Sequence, residues 1–262
     1  MMFLSIDAGN SNIVFGIYDR SSSIWSHELR VETSKELLPL QLVKRFKLFF
    51  LEENLKPESI KQIGLSSVVP ELNKTLADFC SVFFGIVPYT IQGNSYQYLK
   101  VSTSRPNEIG TDLMANITAS YERIHASCII VDFGTALTFS VVDDAGVVIG
   151  VSIVPGLKTA IQSLFANTSQ LPEVELSLPP SAIGKNTVHA IQAGILYGYT
   201  GLVKGMLQSI KEELGKDCKV IATGGLAEIL TPLKNTFDIV DRNLTLDGIK
   251  LITEANVPLR YR

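Results

Sequence analysis

The chain has too few cysteines, too widely spaced, to be held by disulfides or to bind a metal through thiolates. Cys80, Cys128 and Cys218 are odd in number and form no paired spacing, which fits a reducing compartment. An excess of basic residues is also missing. The 23 Lys and Arg stand against 26 Asp and Glu, for a net charge of −3, so no basic face awaits nucleic-acid phosphates. No uncharged apolar run reaches the roughly 18 residues of a membrane span, and a soluble chain is expected. The first apolar run is interrupted at Asp7 and follows no cationic segment, so no secretory signal is expected. His27, His125 and His189 have no metal-ligand spacing. GxGxxG, HExxH and GxSxG are all absent. Gly184-Lys185-Asn186-Thr187 has only the tail of a Walker A loop, without the earlier glycine or a leading strand. What is present is ordinary globular composition, 46% hydrophobic and 19% charged over 262 residues, long enough for a large core in one domain or two.

Against that background one pattern occurs twice. Phe3–Asp19 reads as an apolar strand ending at Asp7, a small polar turn, Ala8-Gly9-Asn10-Ser11-Asn12, and a returning strand from Ile13 and Val14. Backbone N–H groups and small hydroxyls in such a turn can approach oxyanions, and an aspartate there can hold a hydrated cation. Ser127–Asp144 repeats it: Asp132 matches Asp7, Gly134 matches Gly9, and Thr135 matches Asn10. An internal repeat changes the expected fold. Two phosphate-type turns predict two similar half-domains with a cleft between them.

The order of elements agrees. Thr33 and Glu36 form a capping-box pattern predicting a helix through about Leu55, with Pro39 in its first turn. A strand over 60–69, a helix over 71–84 and a short strand over 85–90 complete a β-β-β-α-β-α-β half. An irregular loop over 96–106 precedes a helix predicted over 107–124. After the second hairpin come a helix over 157–167 and a proline-containing connection over 170–181. A long helix over 187–214 carries Gly194, Gly198, Gly201 and Gly205, which weaken it intrinsically and suggest close packing in the core or across a dimer. A strand over 219–222 runs into Thr223-Gly224-Gly225, where missing Cβ atoms would let adenosine lie against backbone. The predicted fold class is α/β: two ribonuclease-H-like half-domains, 1–124 and 125–262, as duplicated βββαβαβ units around an ATP cleft.

Turn, second turn and glycine pair, in that order, resemble the superfamily of acetate and sugar kinases, heat-shock chaperones and actin. DAGNSNIVFGIYD, SSVVP (66–70), EIGTD (108–112), VDFGTALTF (131–139), PG (155–156), IGKNTVHAIQAGILYGY (183–199) and VIATGGLA (220–227) resemble a type III pantothenate kinase over nearly the whole chain. That resemblance implies ATP-dependent phosphorylation of pantothenate, the first step of coenzyme A synthesis. It further implies a cytoplasmic homodimer requiring Mg²⁺ and a monovalent cation, K⁺ or NH₄⁺.

Carried over residue by residue, the resemblance gives ATP binding to Asp7, Ala8, Gly9, Asn10, Ser11, Asn12, Ile13, Val14 and Thr135. Asp132 would ligate the monovalent cation and Asp7 the Mg²⁺ shell. Asp112 would be the catalytic base, with Gly110, Thr111, Asp112, Leu113 and Thr187 around the substrate. Phosphoryl transfer needs positioning and charge neutralisation, and a base near the attacking hydroxyl contributes roughly 10²- to 10⁴-fold. Read without the resemblance, Asp112 is an acidic first-turn residue suited to a helix N-terminus. Two positions depart from the family: Leu113 stands where arginine is usual, removing a bidentate anion clamp, and a usual tyrosine falls near Thr103. Arg105 is the neighbouring residue that would return positive charge. The alternatives are a non-catalytic regulatory or accessory protein on the same scaffold, or a kinase for a related small substrate.

Overall fold

The computed structural model describes residues 1–167, 172, 174–225 and 231–258. The chain divides into two compact units, Met1–Glu122 with Asn243–Arg262, and Arg123–Arg242.

In the first unit, β1 (Met2–Ala8), β2 (Asn12–Asp19), β3 (Ile24–Glu32), β4 (Ile60–Ser67) and β5 (Tyr89–Thr90) form one sheet in the order β3-β2-β1-β4-β5. β2 runs antiparallel to both β1 and β3, while β4 runs parallel to β1 and β5. Side chains alternate between faces along each strand. Leu4, Ile6 and Ala8 turn to one face, where α1 (Pro39–Glu52) and α2 (Asn73–Phe84) seal a core rich in phenylalanine. Phe46 meets Phe15 edge-on at 4.8 Å and Phe79 at 4.7 Å.

Phe3, Ser5 and Asp7 alternate to the opposite face, which α6 (Leu244–Asn256) covers. Ser5 Oγ donates to the Leu246 carbonyl at 3.3 Å. Side chains at Gly16 and Gly64 would collide with Leu246 and with Thr253 and Ile249, so these glycines admit the helix. α3 (Thr111–Ile124) lies beside it, with Gly248 against the Ala115 backbone and Thr245 Oγ1 donating to Asn116 Oδ1 at 2.8 Å. The last helix therefore packs within the first unit, whereas the expected halves, 1–124 and 125–262, put it in the second. Its apolar face (Leu246, Ile249, Ile252) is buried on the strands of residues 1–67.

The second unit repeats the sheet. β6 (Cys128–Phe133), β7 (Ala136–Val142), β8 (Val148–Pro155), β9 (Lys219–Thr223) and β10 (Ile239–Val240) are ordered β10-β9-β6-β7-β8. Both sheets thus read third, second, first, fourth, fifth strand, with the same parallel and antiparallel pairings. α4 (Leu157–Ala166) and α5 (Thr187–Leu214) cover the face carrying Ile129, Val131 and Phe133.

Three expectations change. The first helix opens at Pro39, not in the Thr33–Glu36 stretch. Proline suits that first position, and Gln41 Oε1 accepts the Leu38 N–H at 2.8 Å. The helix predicted over 107–124 begins at Thr111. Gly194, Gly198, Gly201 and Gly205 are exposed along α5, and a Cβ at any of them would find nothing within 4 Å, so among the described residues nothing packs closely against them. Residues 170, 171 and 173 of the proline-containing connection, and Leu226 and Ala227 of VIATGGLA, lie outside the described residues. All three cysteines are free; burial pushes the Cys80 and Cys128 thiols up to about 12. Among the described residues no helix is long and apolar enough to cross a membrane.

Candidate active site

The first turn closes tightly. Gly9 N donates to the Asn12 carbonyl at 3.0 Å, and a Cβ on Gly9 would stand 3.3 Å from that same oxygen. Thr33, the residue expected to cap a helix, instead clamps this turn. Its N–H donates to the Ser11 carbonyl at 3.0 Å and its hydroxyl to the Gly9 carbonyl at 2.7 Å. Asn10 and Ser11 are exposed at the tip. Ala8 and Ile13 are wholly buried, backbone included, at the base of the turn. Asp7 and Val14 face each other across the strand pair.

The structure ties this turn to Asp112. In the parallel pairing of β1 and β4, Asp7 stands opposite Ser66. Ser66 is fully buried, and its hydroxyl hydrogen-bonds that of Thr111 at 2.8 Å. The neighbouring Asp112 occupies the first turn of α3, where Met114 N donates to the Gly110 carbonyl at 3.0 Å. Its carboxylate folds back over Gly110, where a side chain would collide with Oδ1, and accepts the Leu113 N–H at 2.8 Å. Burial raises the Asp112 carboxyl above its ordinary value, outweighing the lowering by the N–H groups of Leu113 and Asp112 itself. A carboxylate short of solvent but still hydrogen-bonded is a stronger proton acceptor than a free one. Leu113 is half-buried beside it and brings no charge. Arg105 forms an exposed ion pair with Glu108 at 3.0 Å.

The second turn, in the second unit, is built alike. Gly134 N donates to the Ala136 carbonyl at 3.1 Å, and a Cβ on Gly134 would also lie 3.3 Å from that oxygen. Gly156 and Thr159 do here what Thr33 does in the first turn: Gly156 N and Thr159 Oγ1 donate to the Thr135 carbonyl at 2.9 and 2.8 Å. Thr135 is exposed at the tip. Gly224, after β9, has φ +92°, and a Cβ there would lie 2.7 Å from Asp132 Oδ1 and from the Phe133 backbone. Only glycine meets both conditions cheaply. Asp132 is opposite Thr138 on β7 and Thr223 on β9. Thr138 is buried, and its hydroxyl has no hydrogen-bond partner. A carboxylate and an unpaired hydroxyl on one face of a strand pair suit a cation taking oxygen ligands. Among the described residues no three His, Cys, Asp or Glu stand together as a metal cluster, so any such ion would take few ligands from side-chain carboxylates. Thr187 opens α5 and is exposed, with Asn186 Oδ1 accepting the His189 N–H at 2.9 Å.

The expected residues thus form two constellations. Asp7–Val14 and Gly110–Leu113 belong to the first unit; Asp132, Thr135, Thr187, Gly224 and Gly225 belong to the second. A sequence profile described as Type III pantothenate kinase matches residues 3–209. The chain belongs to the type III pantothenate kinase family. It is similar to the family member of Geotalea uraniireducens (strain Rf4), 40% identical over 255 residues, which are 97% of this chain and 99% of that one. The Myxococcus xanthus (strain DK1622) member is 37% identical over 257 residues, 97% and 99% of the two chains. Among solved structures, a Campylobacter jejuni protein described as a Baf family transcriptional activator matches with TM-score 0.57 and 22% identity, covering 97% and 98% of the two chains. The inorganic polyphosphate/ATP-glucomannokinase of Arthrobacter sp. strain KM matches with TM-score 0.50 and 13% identity, covering 98% and 99%. At those identities the likeness is one of fold: α/β, with duplicated ribonuclease-H-like halves.

Ser66, Thr33, Thr138 and Thr159 were not legible as site residues. Each is a common hydroxyl residue; Ser66, Thr33 and Thr159 have partners far along the chain, and the Thr138 hydroxyl has none. SSVVP offered the one sequence signal, a pair of serines ending a strand.

Proposed function

We propose that this protein transfers the γ-phosphoryl group of ATP to the primary hydroxyl of pantothenate, opening coenzyme A synthesis. The observation that carries the reading is the half-buried, raised Asp112 carboxyl, joined through Thr111 and Ser66 to the strand end bearing Asp7. Asp112 takes the hydroxyl proton as the oxygen attacks phosphorus, and the phosphoryl group leaves ADP in the same displacement. The Asp7–Val14 turn is assigned to the ATP phosphates, which it meets through the exposed tip at Asn10 and Ser11. Thr135 is assigned to the nucleotide as well. Gly110, Thr111, Leu113 and Thr187 are assigned to the acceptor. Asp7 suits a hydrated Mg²⁺, and Asp132 with Thr138 a monovalent cation. When bound, these ions neutralise phosphate charge.

We assign the exposed glycine stripe of α5 to a second copy of the chain, giving a homodimer, and place the enzyme in the cytoplasm. The test of the reaction is pantothenate-dependent ADP release with Mg²⁺, comparing K⁺ or NH₄⁺ with Na⁺. Turnover stimulated by K⁺ is expected. ATP binding without turnover of pantothenate would overturn the reading in favour of a non-catalytic accessory protein.

A further inference from the structure

Tyr96 carries a polar group that neither the fold nor the site above employs. It ends a short 3-10 turn, Gly93–Tyr96, that follows β5. That turn is pinned on several sides. Asn256 of α6 donates Nδ2 to the Ser95 carbonyl at 2.8 Å. Ser95 Oγ accepts the Tyr89 hydroxyl at 2.8 Å and the Gln92 N–H at 3.0 Å. Gly93 lies against Asn107 and the Pro106 carbonyl, just ahead of the Gly110–Leu113 segment.

Held this way, Tyr96 is 6% exposed, and its phenolic oxygen is buried with no hydrogen-bond partner. Ser95 on this turn and Tyr89 on β5 satisfy each other, so the orphan belongs to Tyr96 and not to loose packing of the whole turn. A buried hydroxyl left unpaired is costly, and the cost is relieved when a ligand supplies the missing acceptor. Burial, then the charge of Asp112, then Tyr89 push the phenol well above its ordinary value, so it remains a donor. Asp112 is thus an electrostatic neighbour of Tyr96, yet the two are not bonded: Asp112 Oδ1 takes the Leu113 N–H. Tyr96 needs an acceptor, and Asp112 needs a proton to take. An alcohol supplies both.

We propose that Tyr96 is a substrate-binding residue whose hydroxyl donates to an oxygen of the acceptor alcohol held beside Asp112. This rests on the reading of Asp112 as the base. The ligand class is a hydroxylated acceptor with an oxygen at or next to the reacting hydroxyl, which the hydroxyls and amide carbonyl of pantothenate provide.

Tyr96→Phe tests it, because the ring is kept and the lost atom has no partner in the free protein. The variant should melt at or slightly above the wild-type temperature. Its KM for pantothenate should rise about tenfold, the loss of one hydrogen bond, with kcat within about twofold and KM for ATP unchanged. The thermal shift produced by pantothenate should shrink in parallel. An unchanged KM and thermal shift would overturn the proposal, as would a lower melting temperature with KM unchanged, which would make Tyr96 structural. Wild-type protein that neither turns over nor binds pantothenate would instead defeat the assigned reaction, and Tyr96's role with it.

Discussion

Asp112 is a single carboxylate caught between opposing influences. A helix N-terminus and two N–H groups favour its charged form; loss of water disfavours it and wins. The sign for catalysis follows. A base must be ionised, so the acidic limb of the kcat/KM profile should lie above 3.8, the ordinary value. The sign for stability is the reverse of a salt-bridged aspartate. Between the ordinary and the raised value the folded protein holds a proton that the unfolded chain has released, so stability falls as pH rises through that window. Asp112→Asn should therefore lower kcat by about 10²-fold or more, while its melting temperature gains on wild type from acid to neutral pH. Retained turnover would remove Asp112 as the base. Thr138 gives a second test at this scale. Thr138→Val deletes an unpartnered hydroxyl, so melting without K⁺ should be unchanged or raised, while the K⁺ concentration for half-maximal activity increases. An unchanged K⁺ response would separate Thr138 from the cation.

At the scale of elements, α5 stands out because its two sides differ. Leu196, Val203 and Leu207 anchor one side in the core of the second unit, while Gly194, Gly198, Gly201 and Gly205 line an exposed side. Each glycine costs a helix roughly 1 kcal/mol relative to alanine, a cost that no contact among the described residues explains. Gly198→Leu tests the assembly proposed above: the fold should stay intact and the mass on light scattering should fall to that of one chain. A dimer of undiminished strength would take α5 out of the interface. The two phosphate-type turns illustrate the opposite case, in which a short motif is finished by distant clamps: Thr33 on the first, Gly156 and Thr159 on the second.

For the whole molecule, the return of α6 to the first unit is the consequential feature. Its Gly248 touches the backbone of Ala115, and Ala115 lies one turn after Asp112 on α3. α6 therefore helps to fix the height of the helix that carries Asp112. Gly248→Ala forces the two backbones apart, so both the melting temperature and kcat should fall, whereas an unaffected kcat would show that α3 tolerates the shift.

The repeated strand, aspartate and glycine turn was legible because it depends on local chemistry: apolar β-prone runs, and small residues where backbone must turn sharply. Asp7, Asp132, Thr135 and Gly224-Gly225 could be read from such signals, and with them the duplicated α/β halves. The order of elements was legible too, apart from helix starts at Thr33 and Asn107, where nearby polar residues imitate caps. Sequence alone could not place the last helix, because its apolar face suits either unit. Only the glycines at 16, 64 and 248, far apart in the chain, admit it to the first. Nor could it show that Ser66 and Thr111 link the phosphate-type turn to Asp112, or that the Tyr96 and Thr138 hydroxyls are left unpaired. Those properties arise from burial and from partners distant along the chain, which exist only once the chain has folded.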